Sequence, residues 1–179
     1  LFVICLVLGA LHFKSLLWRV TGFTIGHSIT LSVGFFGFIP SAAWFVPAVE
    51  TGIALSIIYV AIVGILQNLH PPINQSRSEW TVFGITALIG LLHGLGFSFV
   101  LHNILQVTSP NIWQSLLAFN FGVEIGQVLI VIATWLLFYL ISQLGDRATK
   151  ISRYFVTGIC ASIGVIWVIE RVNSILSII

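Results

Sequence analysis

The sequence predicts an all-α, polytopic membrane domain of about six spanning helices, and three features of its 179 residues predict it. Only 7% of them are Asp, Glu, Lys or Arg, where a water-soluble domain carries about a quarter. Hydrophobic residues make up 58%, and the mean hydropathy is +1.11. The apolar residues fall in long unbroken runs, near the roughly 20 residues a helix needs to cross a bilayer, and not in the alternating pattern of barrel strands. Composition therefore excludes a soluble or disordered class. Seven basic against five acidic residues, scattered along the chain, also exclude a surface that tracks nucleic acid.

Residues 1–13 read as a first span cut at its outer end. Residue 1 is Leu, the chain has no Met, and the first position is already inside an apolar run, so an N-terminally truncated piece of a longer protein is expected. Further spans are expected over 20–38, 47–67, 80–101, 113–142 and 154–173. Connectors rich in Pro, Asn, Ser and charge separate them at 14–19, 39–46, 68–79, 102–112 and 143–153. None can hold a soluble domain, so residues 1–179 form a single integral-membrane domain. Lys14 and Arg19, then Arg77, then Arg147, Lys150 and Arg153 mark the first, third and fifth connectors, while the second and fourth hold no Lys or Arg. The positive-inside rule places the odd connectors in the cytoplasm and both chain ends outside. Trp18, Trp44, Trp80 and Trp113 stand at helix ends, where an interfacial belt belongs. Cys5 and Cys160 lie far apart in sequence and offer neither a zinc signature nor a disulfide framework.

The polar residues inside the runs carry the functional signal. An ionisable side chain at mid-membrane costs at least about 2.5–3.5 kcal/mol, so it faces a partner or a cavity. His27 lies in the second span, Glu50 opens the third, His93 lies in the fourth, and the fifth carries Asn120, Glu124 and Gln127 at i, i+4 and i+7, on one face. At 1.5 Å per residue His27 is about 10 Å and His93 about 20 Å from the cytoplasmic end, with Glu124 about 16 Å from the outer end. Two imidazoles, a carboxylate and two amides in the middle third suit zinc, nickel or cobalt, and the absence of Met argues against a copper(I) site.

Each feature also has a plainer reading. A lone histidine, or the Asn120/Glu124/Gln127 run, also fits interhelical hydrogen bonding. Gly22/Gly26 and Gly90/Gly94 are small-residue spacings for close helix packing. Glu50 suits a solvated rim. Glu170 and Arg171 point about 100° apart around their helix and suit partners on other helices, Arg171 with Glu50 among them. His12, His70 and His102 fall in or beside connectors and read as solvated. Ser28 adds a hydroxyl beside His27, but adjacent helical residues diverge and do not make a Ser–His dyad.

Four blocks bear a family resemblance. Phe23-Thr-Ile-Gly-His-Ser-Ile-Thr-Leu31, Leu92-His-Gly-Leu-Gly-Phe97, Phe119-Asn-Phe-Gly-Val-Glu-Ile-Gly-Gln127 and Trp167-Val-Ile-Glu-Arg171 resemble, in order and on successive helices, the motifs of the HupE/UreJ family of hydrogenase- and urease-accessory membrane proteins. The resemblance implies a multi-pass inner-membrane protein of a bacterium-like cell that lets nickel or a similar divalent ion cross. It makes His27, His93 and Glu124 the candidate metal ligands, supported by Ser28, Asn120, Gln127 and Glu50, with Glu170 and Arg171 at the outer rim. The family's Gly-x-Asp-His-type block precedes the position where this chain starts.

A divalent-metal facilitator is the leading expectation, with nickel or cobalt ahead of zinc. The chain holds no Walker-type phosphate loop and calls for no organic cofactor. Its partners are the lipid bilayer and the metal ion, with a second copy or metalloenzyme-maturation proteins as protein candidates, and no nucleic acid. Histidine ligands must be neutral, so uptake is expected to fall below about pH 6. Two alternatives stay open: an intramembrane zinc hydrolase, in which two His, a carboxylate and an open position activate water, and a non-catalytic assembly partner.

Overall fold

Lipid offers the backbone no hydrogen-bond partners, so long apolar runs close their bonds within helices. The structure, a computed structural model, describes residues 1–10, 13–37, 40, 42–69, 79–104 and 112–178. Among these residues there are six helices and no strand: α1 (Phe2–Leu8), α2 (Phe13–Phe35), α3 (Phe45–Leu69), α4 (Glu79–Ile104), α5 (Ile112–Ser142) and α6 (Asp146–Leu176). His12, His70, Arg77 and the side chain of His102 lie outside the described residues.

The all-helical class matches the expectation, and among the described residues four of the six helices are long and apolar enough to be spans. Helices α3, α4, α5 and α6 are long and apolar enough to cross a membrane. The seven residues of α1 are too few. The 23 residues of α2 are enough in length but include Lys14, Arg19, His27 and a series of Ser and Thr.

Two expected connectors prove to be helical. Helix α2 begins at Phe13 and not at residue 20, and α6 begins at Asp146 and not at residue 154. Lys and Arg are good helix formers, and their long stems let a charged head reach the boundary from inside a helix. Lys14 uses this reach to meet Glu79 at 3.1 Å, which puts the start of α2 and the start of α4 at one end of the molecule. The turns form where glycine permits them. Gly37 follows α2 at φ 85° and Gly145 separates α5 from α6 at φ 112°, a region that side chains with a Cβ rarely adopt.

Two helix pairs dominate the packing. The first is α2 with α4, which run parallel: Gly22 faces Phe83, Gly26 faces Ala87, and Gly94 faces His27 and Thr30. The second is α3 with α6, which run antiparallel: Gly164 meets Ala54 and Ile58, and Gly64 meets Thr157. Between the pairs, α1 buries Phe2, Cys5, Leu6 and Val7 in a core shared with Leu16, Phe23, Ile57, Val60, Ala61, Ile89 and Cys160. Helix α5 lies on the flank. Thr24 of α2 donates a hydrogen bond to Gln127 of α5, and Phe35 and Leu116 share a second core, so α5 runs antiparallel to α2. Its membrane-length segment is only 17% buried, against 39% for α3 and α4. The tryptophans fall at opposite ends: Trp18 packs on Trp80 beside the Lys14–Glu79 pair, and Trp113 packs on Phe36 at the far end.

Candidate functional site

His27 and His93 come to one depth because of where their helices start. Each lies 14 residues into its helix, from 13 to 27 and from 79 to 93, a rise of about 21 Å. The difference of about 10 Å expected from the sequence disappears once α2 starts at Phe13. Glycine then lets the helices touch. A Cβ on Gly26 would overlap the Ala87 carbonyl, one on Gly90 the Phe23 carbonyl, and one on Gly94 the His27 carbonyl. Thr30 fastens the crossing by donating its hydroxyl to the Leu91 carbonyl at 2.6 Å.

Aromatic rings enclose the two imidazoles. Phe23 lies 5.8 Å from His27 and 5.2 Å from His93 between ring centroids. Phe2 lies tilted at 4.9 Å from His93, and Phe97 meets His27 edge-on at 5.5 Å. Within this apolar shell the histidines differ in their hydrogen bonding. His93 Nδ1 is 2.9 Å from the Ile89 carbonyl. A carbonyl only accepts, so this nitrogen carries the proton and Nε2 presents a lone pair. His27 is 3% exposed, and neither of its ring nitrogens has a hydrogen-bond partner. Leaving a buried polar group unmatched costs about 1–3 kcal/mol, so the arrangement asks for a reason.

Helix α5 brings its amides to the same level. Gln127 is buried and accepts the hydroxyl of Thr24 at 3.3 Å, one turn from His27. Asn120 donates to the Leu116 carbonyl at 3.2 Å. The Gln127 Nε2 and Asn120 Oδ1 atoms are buried without a partner. Since α5 is antiparallel to α2 and Gln127 is level with Thr24, Glu124 is level with His27. Its side chain is nevertheless exposed. Among the described residues no three His, Cys, Asp or Glu gather closely enough to hold a metal ion. The structure thus sets His27 and His93 against the same Phe23 ring, brings Gln127 within a turn of His27, and leaves Glu124 level with His27 on the open side of α5.

A cavity of about 260 Å³ leads to His93 from the end opposite Lys14. It is lined by Glu50, Ile53, His93, Gly96, Phe97, Val100, Trp167 and Arg171. Glu50 and Arg171 face each other at 3.2 Å, and both are partly exposed. The neighbouring Glu170 is exposed. Ser28 is half-buried, and its carbonyl accepts the Ser32 hydroxyl at 2.8 Å.

The aromatic shell was illegible as a site feature, since all phenylalanines read as core or lipid face. One signal was present. Phe23 stands four residues before His27, and Phe97 four residues after His93, each on one helix face with its histidine.

Four helices long and apolar enough to cross a membrane, a glycine-tight crossing and two buried histidines, one of them lining a cavity, are the features of a polytopic membrane protein. A family model described as HupE / UreJ protein matches residues 1–171, and the chain belongs to that family. No curated protein and no solved structure matches it.

Proposed function

We propose that the protein lets a divalent transition-metal ion, nickel or cobalt ahead of zinc, cross a bacterial-type inner membrane past His27 and His93. The HupE/UreJ family is associated with nickel and cobalt accessory or transport roles. The observation that carries the reading is His27, a buried imidazole with both nitrogens unmatched, beside His93, whose Nδ1–H is held by a carbonyl. Fixing one nitrogen of an imidazole by a carbonyl is the usual way to aim the other at a metal. Imidazole suits nickel, cobalt and zinc alike, and the amides of Gln127 and Asn120 supply neutral oxygen donors nearby.

Passage fits this donor set better than a resident catalytic metal. A hydrolytic zinc centre takes three protein ligands and keeps the fourth position for water, and the described residues bring no such three together. Two imidazoles hold an ion weakly enough for it to leave. With the Lys14 end in the cytoplasm, the membrane potential draws a cation inward. That drive is worth about 2.3 kcal/mol per charge per 100 mV, doubled for a divalent ion.

The test is flux of Ni²⁺, Co²⁺ and Zn²⁺ into proteoliposomes holding the full-length chain. Influx above the lipid background that falls to it in His93→Ala, with the variant still folded, is the expected result. Equal influx in wild type and His93→Ala overturns the reading.

A further inference from the structure

The chain's two cysteines, distant in sequence, meet in the fold, and the proposed metal path does not use them. Cys5 of α1 and Cys160 of α6 are free thiols, 0% and 1% exposed. Their side chains belong to one buried apolar core and lie close enough to interact. One turn before Cys5, Phe2 packs its ring 4.9 Å from His93 and 4.9 Å from Phe23. Helix α1 therefore joins the thiol pair to the histidine pair.

We propose that Cys5 and Cys160 are a site of oxidative cross-linking, closed by a small uncharged peroxide, that locks α1 to α6 and holds Phe2 against His93. The first sulfur attacks one oxygen of hydrogen peroxide, the O–O bond breaks, and a sulfenic acid and a water form. The second sulfur then attacks the sulfenic sulfur, the S–O bond breaks, its hydroxyl takes the remaining thiol proton, and a second water leaves. In sum two thiols lose two electrons and two protons, and one peroxide becomes two waters. A neutral oxidant can enter the apolar core where charged reagents cannot. Their closeness in one core gives the second step the high effective concentration of an intramolecular reaction, ahead of further oxidation of the sulfenic acid.

The experiment treats the full-length chain in proteoliposomes with hydrogen peroxide, then denatures it for maleimide labelling and intact-mass measurement. Expected are the loss of both thiols together, a monomer lighter by about 2 Da, and recovery of both thiols with dithiothreitol. Cys5→Ala and Cys160→Ala, which keep the core apolar, should each show no such loss of mass. A control carrying Ser142→Cys on the double alanine background places one thiol at an exposed position. Retention of both native thiols at a dose that consumes this control overturns the proposal, and so do disulfide-linked dimers in place of a cross-linked monomer. In the same vesicles Ni²⁺ influx should fall several-fold on oxidation and recover on reduction. Only this last arm rests on the metal-passage reading: no influx in either redox state defeats that reading alone, while unchanged influx through a cross-linked protein removes the link to His93.

Discussion

Helices α4 and α5 each bring one ionisable side chain to the same level of the molecule, and they treat it in opposite ways. His93 on α4 is buried, fixed by the Ile89 carbonyl and flanked by the rings of Phe2 and Phe23. Glu124 on α5 is level with His27 but exposed, on a helix whose span is 17% buried. The cause lies in the glycines. On α4, Gly90 and Gly94 admit the backbone of α2, so the two helices close without a gap. On α5, a Cβ at Gly122 or Gly126 would meet nothing within 4 Å. The difference teaches that shared depth alone does not enclose a side chain: His93 is closed in where small residues let a second backbone come close, and Glu124 stays open where they do not.

The contrast breaks most visibly at those glycines. Gly90→Leu drives a side chain into the backbone of α2 and should cost at least about 3 kcal/mol, the upper range for overpacking. Loss of a monodisperse detergent-solubilised species is the expected readout. Gly122→Leu on α5 enters open space and should leave the melting temperature nearly unchanged. Equal damage from the two substitutions would show that α5 is packed as tightly as α4.

Glu124→Gln gives the next effect, and it separates function from packing. If the carboxylate, level with His27, takes part in passage, its removal should lower Ni²⁺ influx several-fold, and because it is exposed thermal stability should hold. A large drop in stability with influx unchanged would assign Glu124 to the structure and not to the path.

The ion pairs at the two ends give the smallest effects. Glu50 and Arg171, 35% and 44% exposed at the cavity mouth, form a pair worth about 0–1 kcal/mol. Arg171→Gln should therefore barely move the melting temperature, while freeing a carboxylate where a cation approaches and lowering the Ni²⁺ concentration at half-maximal influx. Lys14 and Glu79 are more exposed still, so Lys14→Gln should change neither stability nor influx measurably.

Much of this was legible in the sequence, and the gaps have physical causes. Long apolar runs announced the helices, because lipid leaves the backbone no other way to satisfy itself. The histidines stood out because charge is costly in such runs. The start of α2 was hidden because Lys14 and Arg19 look like a connector, yet helices carry such residues to a boundary on flexible stems. That one boundary decided whether His27 and His93 share a depth. The direction of Glu124 was hidden for another reason. Spacing places Asn120, Glu124 and Gln127 on one broad face, but α2 meets that face at Gln127, through Thr24, and Glu124 stays exposed. Which half of a face a neighbour takes is a property of the neighbour. The meeting of Cys5 with Cys160 belongs to the same class: it depends on how α1 docks against α6.

The central claim is that His27 and His93 can share one divalent ion. Pulsed EPR on the full-length protein loaded with Cu²⁺, used as a spin probe for the site, counts the imidazoles bound to it. Two should be seen in the wild type and one in His27→Ala. A spectrum without imidazole, or one that His27→Ala leaves unchanged, would contradict it.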